Sequence, residues 1–210
     1  MKRLGKVKIE WSPRFAYAIG LIVTDGNLSI DRRHIDFTSK DRDLVVTFKK
    51  CLGLKNKIGK KARAREDVKK YYRVQFGDRN FYEFLLSIGI IPAKSKKLGE
   101  LQIKKQYFAD FLRGCFDGDG SLGAFHHPES QYLQIRIKIT SASLPFLYWL
   151  QKSIRECVAV RGGWIDSVPR AWQLVYGKAD ALALLRFIYY SSSIPYLKRK
   201  QKIAKTFLRM

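Results

Sequence analysis

Acidic residues are scarce in this chain of 210 residues: eighteen Asp and Glu stand against forty-one Lys and Arg, for a formal net charge of +23. The excess points to a polyanionic partner, nucleic acid before any other. Cysteine is nearly lacking as well. Cys51, Cys115 and Cys157 are isolated and form no C-x-x-C pair, which excludes a disulfide framework and a zinc cluster and suits small buried residues in a reducing compartment. No long apolar run exists: the longest, Phe15 to Val23, is far below the roughly 20 residues of a membrane span. The opening "MKRLGKVKIEW" has charge but no apolar stretch, so no export signal is expected, and the location expected is intracellular, in cytoplasm, nucleoid or an organelle. Because the basic residues are spread along the whole chain, an anionic membrane surface ranks well behind nucleic acid. Histidine is rare too: His34 reads as part of a strand, and His126 and His127 as part of a loop, so no histidine site is expected. The glycines form neither a Walker nor a Rossmann pattern, which leaves no nucleotide cofactor to expect.

What is abundant is apolar and repeated. Hydrophobic residues make up 46% of the chain, enough for a real core. Ser12-Pro13 is a helix start, and Phe15, Ala16, Ile19, Ile22 and Val23 follow at helical spacing up to Gly26, expected to be a left-handed cap. Phe108, Phe111, Leu112, Cys115 and Phe116 repeat that pattern, and Gly114, Asp119 and Gly120 repeat Gly20, Asp25 and Gly26 at one common offset. "DFTSKD" (Asp36 to Asp41) is answered by "KITSAS" (Lys138 to Ser143), Phe76-Gly77 by Tyr176-Gly177, and Ile91-Pro92 by Ile194-Pro195. The order helix, strands, helix, strands, helix therefore occurs twice, with a longer loop expected at Ala124 to Gln131 and a joint near Gly99–Lys105.

In "YLQIRIKIT", Leu133, Ile135, Ile137 and Ile139 alternate with Tyr132, Gln134, Arg136, Lys138 and Thr140. A half-buried antiparallel sheet explains the apolar face. The wet face prefers Arg, Lys, Gln and Thr, which suit base-edge and phosphate contacts from a ribbon lying in a major groove. The candidate DNA contacts are Arg32, Arg33, His34, Asp36, Thr38, Ser39, Lys40, Arg73 and Gln75 in the first half. In the second they are Tyr132, Gln134, Arg136, Lys138, Thr140, Ser141 and Gln173. The runs "KNKIGKKARAREDVKK" and "YLKRKQKIAK" are expected to be solvated faces that meet phosphates.

If Gly20 and Gly114 let their helices approach closely, Asp25 and Asp119 meet. Two carboxylates at two negative helix ends repel, so the arrangement demands cations or raised pKa values. A hard divalent ion such as Mg²⁺, bridging to substrate phosphates, is the expected positive partner. Asp117 lies about 200° around the helix from Asp119 and is expected to cap or pack it instead. "DGDGSL" from Asp117 is no EF-hand, because the loop glycine would fall on Leu122 and the twelfth-place glutamate on Pro128.

Both "AIGLIVTDG" (Ala18 to Gly26) and "LRGCFDGDG" (Leu112 to Gly120) resemble the name-giving motif of the LAGLIDADG homing endonucleases in their monomeric two-repeat form. Gly20, Leu21, Ile22, Asp25 and Gly26 match in the first copy, and Leu112, Gly114, Asp117, Asp119 and Gly120 in the second; Val23 stands where the family often has an acid. The resemblance implies an α+β fold of two pseudo-symmetric αββαββα repeats, residues 1–100 and 101–210, forming a β-saddle over a long double-stranded DNA site. It implies a monomer that hydrolyses both strands with Mg²⁺ or another hard divalent cation held by Asp25 and Asp119. A Lys near the metals would order the attacking water, the candidates being Lys94, Lys96 and Lys200. The rival readings are an RNA-binding intron splicing cofactor (maturase) and a DNA-binding regulator, neither of which gains from paired carboxylates beside phosphates.

Overall fold

The computed structural model describes residues 5–62, 70–126, 128–129 and 131–208. His127 and the 63–69 part of the first basic run lie outside them. The first half contains α1 (Pro13–Asp25), β1 (Gly26–Leu28), β2 (His34–Ser39), α2 (Arg42–Cys51), β3 (Gly59–Lys61), β4 (Tyr71–Gly77) and α3 (Arg79–Ser87). The second half contains α4 (Phe108–Asp119), β5 (Gly120–His126), β6 (Leu133–Ser141), α5 (Leu144–Cys157), β7 (Trp164–Val168), β8 (Ala171–Tyr176) and α6 (Lys178–Ile188). The doubled αββαββα order is therefore as expected. One element exceeds it: the basic run near the C-terminus folds as a further helix, α7 (Lys198–Leu208).

Each half builds its own antiparallel four-stranded sheet, in the orders β1-β2-β4-β3 and β5-β6-β8-β7. The registers correspond, Gly26 opposite Phe37 in one sheet and Gly120 opposite Ile139 in the other. Ile135, Ile137 and Ile139 are buried while Gln134, Arg136, Lys138 and Thr140 are only half-buried, as the alternation requires. Leu133, at the outer end of β6, is exposed.

Ser12 caps α1, its Oγ accepting from the Phe15 amide at 3.2 Å, with Pro13 in the first turn. Residues 15–23 of α1 are all buried, so this helix has no wet face. Such a helix must be enclosed on every side, and α4 supplies the nearest wall. A Cβ on Gly20 would lie 2.2 Å from the Phe111 carbonyl oxygen, and one on Gly114 would lie 2.2 Å from that of Tyr17. A Cβ on Gly118 would strike the Thr24 hydroxyl, which itself donates to the Leu21 carbonyl at 3.0 Å. Because the partners advance together along both helices, α1 and α4 run the same way and end together.

Two expectations are corrected. Gly26 has extended backbone, φ −83° and ψ 154°, because β1 begins there directly. Glycine is required for another reason: a Cβ would meet the Ile22 backbone at 2.7 Å. His126 is the last residue of β5 and not part of a loop. Among the described residues no helix is long and apolar enough to cross a membrane.

The helix contact makes a direct prediction. Gly20→Ala or Gly114→Ala forces two backbones apart and destabilises the fold by about 1–3 kcal/mol or more, read as a lowered midpoint in urea denaturation; an unchanged midpoint contradicts the close packing.

Candidate active site

The ends of α1 and α4 bring four predicted residues together: Asp25, Asp119, Lys94 and Lys200. The main-chain carbonyls at both helix ends are met by lysine. Lys94, in a short 3₁₀ turn over Lys94–Lys96, donates from Nζ to the Gly26 carbonyl at 2.6 Å and to that of Thr24 at 3.4 Å. Lys200, delivered by α7, donates to the carbonyls of Phe116 (2.5 Å), Asp117 (2.9 Å), Gly118 (3.5 Å) and Gly120 (2.6 Å). Thr24 and Gly26 in the first repeat correspond to Gly118 and Gly120 in the second, so the two ammonium groups occupy pseudo-equivalent places. The first positive partner of the negative helix ends is thus the protein's own lysine and not, as the sequence suggested, a metal ion alone.

Burial and charge compete at these groups. Lys94 is 7% and Lys200 5% exposed. Burial lowers the pKa of Lys94, against the opposing pull of Asp119, Asp25 and Asp36. Lys200 is brought down to about 8, mainly by burial, while Asp117, Asp119 and Asp25 act to raise it. Asp119 moves upward because it is buried, with Lys94 and Lys200 restraining the rise. Both aspartates therefore lie within the electrostatic reach of both lysines. Lys96, by contrast, is exposed, and the structure brings Lys94 to the acids instead.

Two openings reach the acids, and each mixes the repeats. A cleft of about 510 Å³ joins Asp25, Thr38, Ser39 and Lys40 of the first repeat to Gly118 of the second. A smaller one of about 190 Å³ joins Asp119 and Ser141 to Thr24 and Lys94. Among the described residues no group of three or more His, Cys, Asp or Glu side chains could hold a metal ion. Oxygen donors limited to a carboxylate pair fit a hard cation that keeps waters and takes substrate phosphate oxygens as further ligands.

Asp117 packs its helix, as expected: it is fully buried, and its Oδ2 accepts from the Tyr17 hydroxyl and the Leu197 amide, each at 2.7 Å. Burial outweighs these hydrogen bonds and raises it to about 6. Sequence reasoning missed the neighbouring anchor. Arg113, wholly buried, donates to the Pro195 and Ile188 carbonyls at 2.7 Å and pairs with Asp110 at 2.5 Å, fixing the segment that leads into α7 and Lys200.

The candidate DNA contacts divide. Asp36 is only 7% exposed and is ion-paired to Arg73 at 3.2 Å, so it is a brace for that arginine and not an outward contact. Gln173 donates to the Thr140 hydroxyl at 3.2 Å. His34 is held by Asp31 at 2.5 Å. Arg32, Arg33, Lys40 and Gln75 are exposed, as is Tyr132. Thr38, Ser39, Arg73, Gln134, Arg136, Lys138 and Ser141 are half-buried along the sheet faces and cleft edges.

Residues 12–89 match the family model of the LAGLIDADG-like domain. Among curated proteins no significant match was found. The LAGLIDADG meganuclease I-AabMI, solved bound to uncleaved DNA, superposes with a TM-score of 0.62 at 13% identity, over 95% of this chain and 90% of that one. I-SmaMI, solved on an uncleaved DNA target in the presence of calcium ions, gives 0.59 at 13%, over 95% and 92%. Full-length DUF199/WhiA from Thermatoga maritima gives 0.56 at 19%, over 98% of this chain but 63% of that one, so this chain spans less than two thirds of its length. The doubled helix-end acids, the two matched sheets and the family model over residues 12–89 agree, and the chain as a whole has the fold of the two-repeat LAGLIDADG structures.

Proposed function

We propose that this protein is a site-specific double-strand DNA endonuclease, a homing endonuclease acting as a monomer, with residues 1–100 and 101–210 as its two repeats. The observation that carries the reading is the pair Asp25 and Asp119, set at the joined ends of α1 and α4 and sharing the field of Lys94 and Lys200. Mg²⁺ or another hard divalent cation held by these carboxylates would supply charge neutralisation at the scissile phosphates and a more acidic water. I-SmaMI was solved with calcium and I-DmoI with DNA and Mn, which supports a divalent cation here.

The chain's own residues prepare the rest. Lys94 and Lys200 hold the helix ends together and place positive charge beside the path of a phosphate, where fixed donors stabilise developing charge without reorganising. Ser39 and Ser141, one in each opening, present hydroxyls beside the acids. Arg73 on β4 and Arg136 and Lys138 on β6, all half-buried, supply phosphate and base-edge contacts. The fold itself is shared with WhiA as well as with meganucleases, so cutting rests on the acid pair and not on the fold. A nucleic-acid-binding protein without cleavage, such as an RNA-binding splicing cofactor, is the alternative.

Incubation of the purified chain with Mg²⁺ and a randomised duplex library, followed by sequencing of the ends, yields cuts at one site. Asp25→Asn and Asp119→Asn each abolish cutting and leave duplex binding within about threefold; cleavage by both variants at the original rate refutes the site. Lys200→Met leaves buried carbonyls without a donor and costs about 1–3 kcal/mol of stability, measured by denaturant titration, together with a fall in cutting rate at a temperature where the variant remains folded.

A further inference from the structure

On the face of the second sheet, away from the acids, one arginine is held in a way the duplication does not explain. The Arg136 guanidinium carbon lies 4.5 Å from the ring centre of Phe125 and 5.7 Å from that of Trp164. Phe125 belongs to β5, on one side of β6, and Trp164 to β7, beyond β8 on the other side. Arg136 is therefore clamped from both flanks. Trp164 is itself fixed, its indole N–H donating to Asp166 at 2.8 Å.

The clamp has an open floor. Gly123 lies directly opposite Arg136 in the β5–β6 ladder, and Gly177 follows the paired end of β8 on the other side. A Cβ at either glycine would meet nothing within 4 Å. The resulting depression, about 320 Å³, is lined by Phe125, Gln134, Arg136, Trp164, Gly177 and Lys178. Among the described residues Arg136 has no ion pair and no side-chain hydrogen bond. It has two ring contacts, and its N–H donors are unspent.

That combination selects among nucleic-acid ligands. A single-stranded base binds by stacking on a free aromatic or guanidinium face, whereas this guanidinium already lies against two rings of its own sheet. A guanine in a major groove is read by the edge, through O6 and N7, by two parallel N–H donors in one plane. Two flanking rings restrict the side chain before binding, so less of its entropy remains to be lost. The corresponding position in the first repeat is His34, tied to Asp31, which offers no such fork.

We infer that Arg136 is a guanine reader positioned by Phe125 and Trp164, and that it gives the half-site under the second sheet a guanine requirement absent from the equivalent position of the other half. The inference rests on the duplex-DNA reading above. Four residues separate Asp119 from Gly123, roughly 13 Å at about 3.3 Å per strand residue, so the guanine falls about four base-pair steps outward from the phosphate beside Asp119.

The test is selection of bound duplexes from a randomised library by the full chain, with Ca²⁺ in place of Mg²⁺, read position by position. The wild-type chain enriches guanine at one such position in one half-site only. Arg136→Ala and Arg136→Lys reduce that preference about 10- to 100-fold with the other positions unchanged, and Trp164→Leu reduces it partly; thermal melts establish that each variant is folded. A uniform loss of affinity over all sequences makes Arg136 a phosphate contact and overturns the inference, as does an intact guanine preference in Arg136→Ala. Tighter, Trp164-dependent binding of the single-stranded oligonucleotide also overturns it. A wild-type chain that selects no duplex sequence refutes the DNA reading itself, an outcome distinct from all of these.

Discussion

The contact between the backbones of α1 and α4 governs everything else in this molecule. Two parallel helices brought together until a Cβ at Gly20 or Gly114 would overlap a carbonyl oxygen also bring two negative dipole ends together, each worth about half an elementary charge. Asp25 and Asp119 add full charges to that place. Apolar burial along residues 15–23 of α1 drives the packing, but the helix ends need cations, and the chain provides them from two unrelated parts of its sequence. Lys94 comes from a 3₁₀ turn after α3 and Lys200 from the added helix α7.

This explains why α7 belongs to the site and is more than a surface appendage. Its lysine takes four carbonyls at the end of α4, its preceding amide at Leu197 closes on Asp117, and Arg199 reaches Asp41 at the start of α2 in the other repeat. Arg113, buried beneath, fixes the approach segment through the Pro195 and Ile188 carbonyls. A buried ion such as Arg113 is costly to desolvate and is tolerated when its donors are used; here two carbonyls and Asp110 use them. The same logic holds the buried lysines, whose carbonyl partners and nearby acids offset a burial that would otherwise favour the neutral amine.

Much of this was legible in the residue order. The repeated Gly-to-Asp-Gly spacing located both helices, their contact and the acid pair, because a close helix approach has few solutions besides glycine. The alternation in β6 gave the wet and dry faces, because a strand has a period of two. What depended on tertiary pairing was hidden. Lys94 and Lys96 sit two apart in one basic run, and only the local turn, begun by Ala93 in the left-handed region at φ 50°, decides which points inward. Asp36 looked like an outward polar residue; its burial follows from the register that sets Thr38 opposite Arg73 and so brings that guanidinium within reach. Gly26 suggested a left-handed cap, yet the chain turns straight into a strand, where extended backbone serves.

The duplicated backbone has been filled with unlike side chains, on the sheet faces as well as in the core. Asp36 corresponds to Lys138 and Arg73 to Gln173, so at matched places one sheet has an acid bracing an arginine and the other a lysine beside a glutamine that leans on Thr140. His34 corresponds to Arg136, the one locked to Asp31 and the other held between rings. The core diverges as well, Ile19 corresponding to the buried Arg113 and Val23 to the buried Asp117; what the two helices keep in common is Gly20 with Gly114, where a Cβ would strike the facing backbone, and the Asp-Gly pairs at their ends. Symmetry is therefore retained at the glycines where the two backbones touch, and the rest of the duplicated frame is released to differ. A chain of this kind presents two chemically distinct faces at a geometrically fixed separation, which is the physical condition for recognising a polyanion whose two halves are not alike.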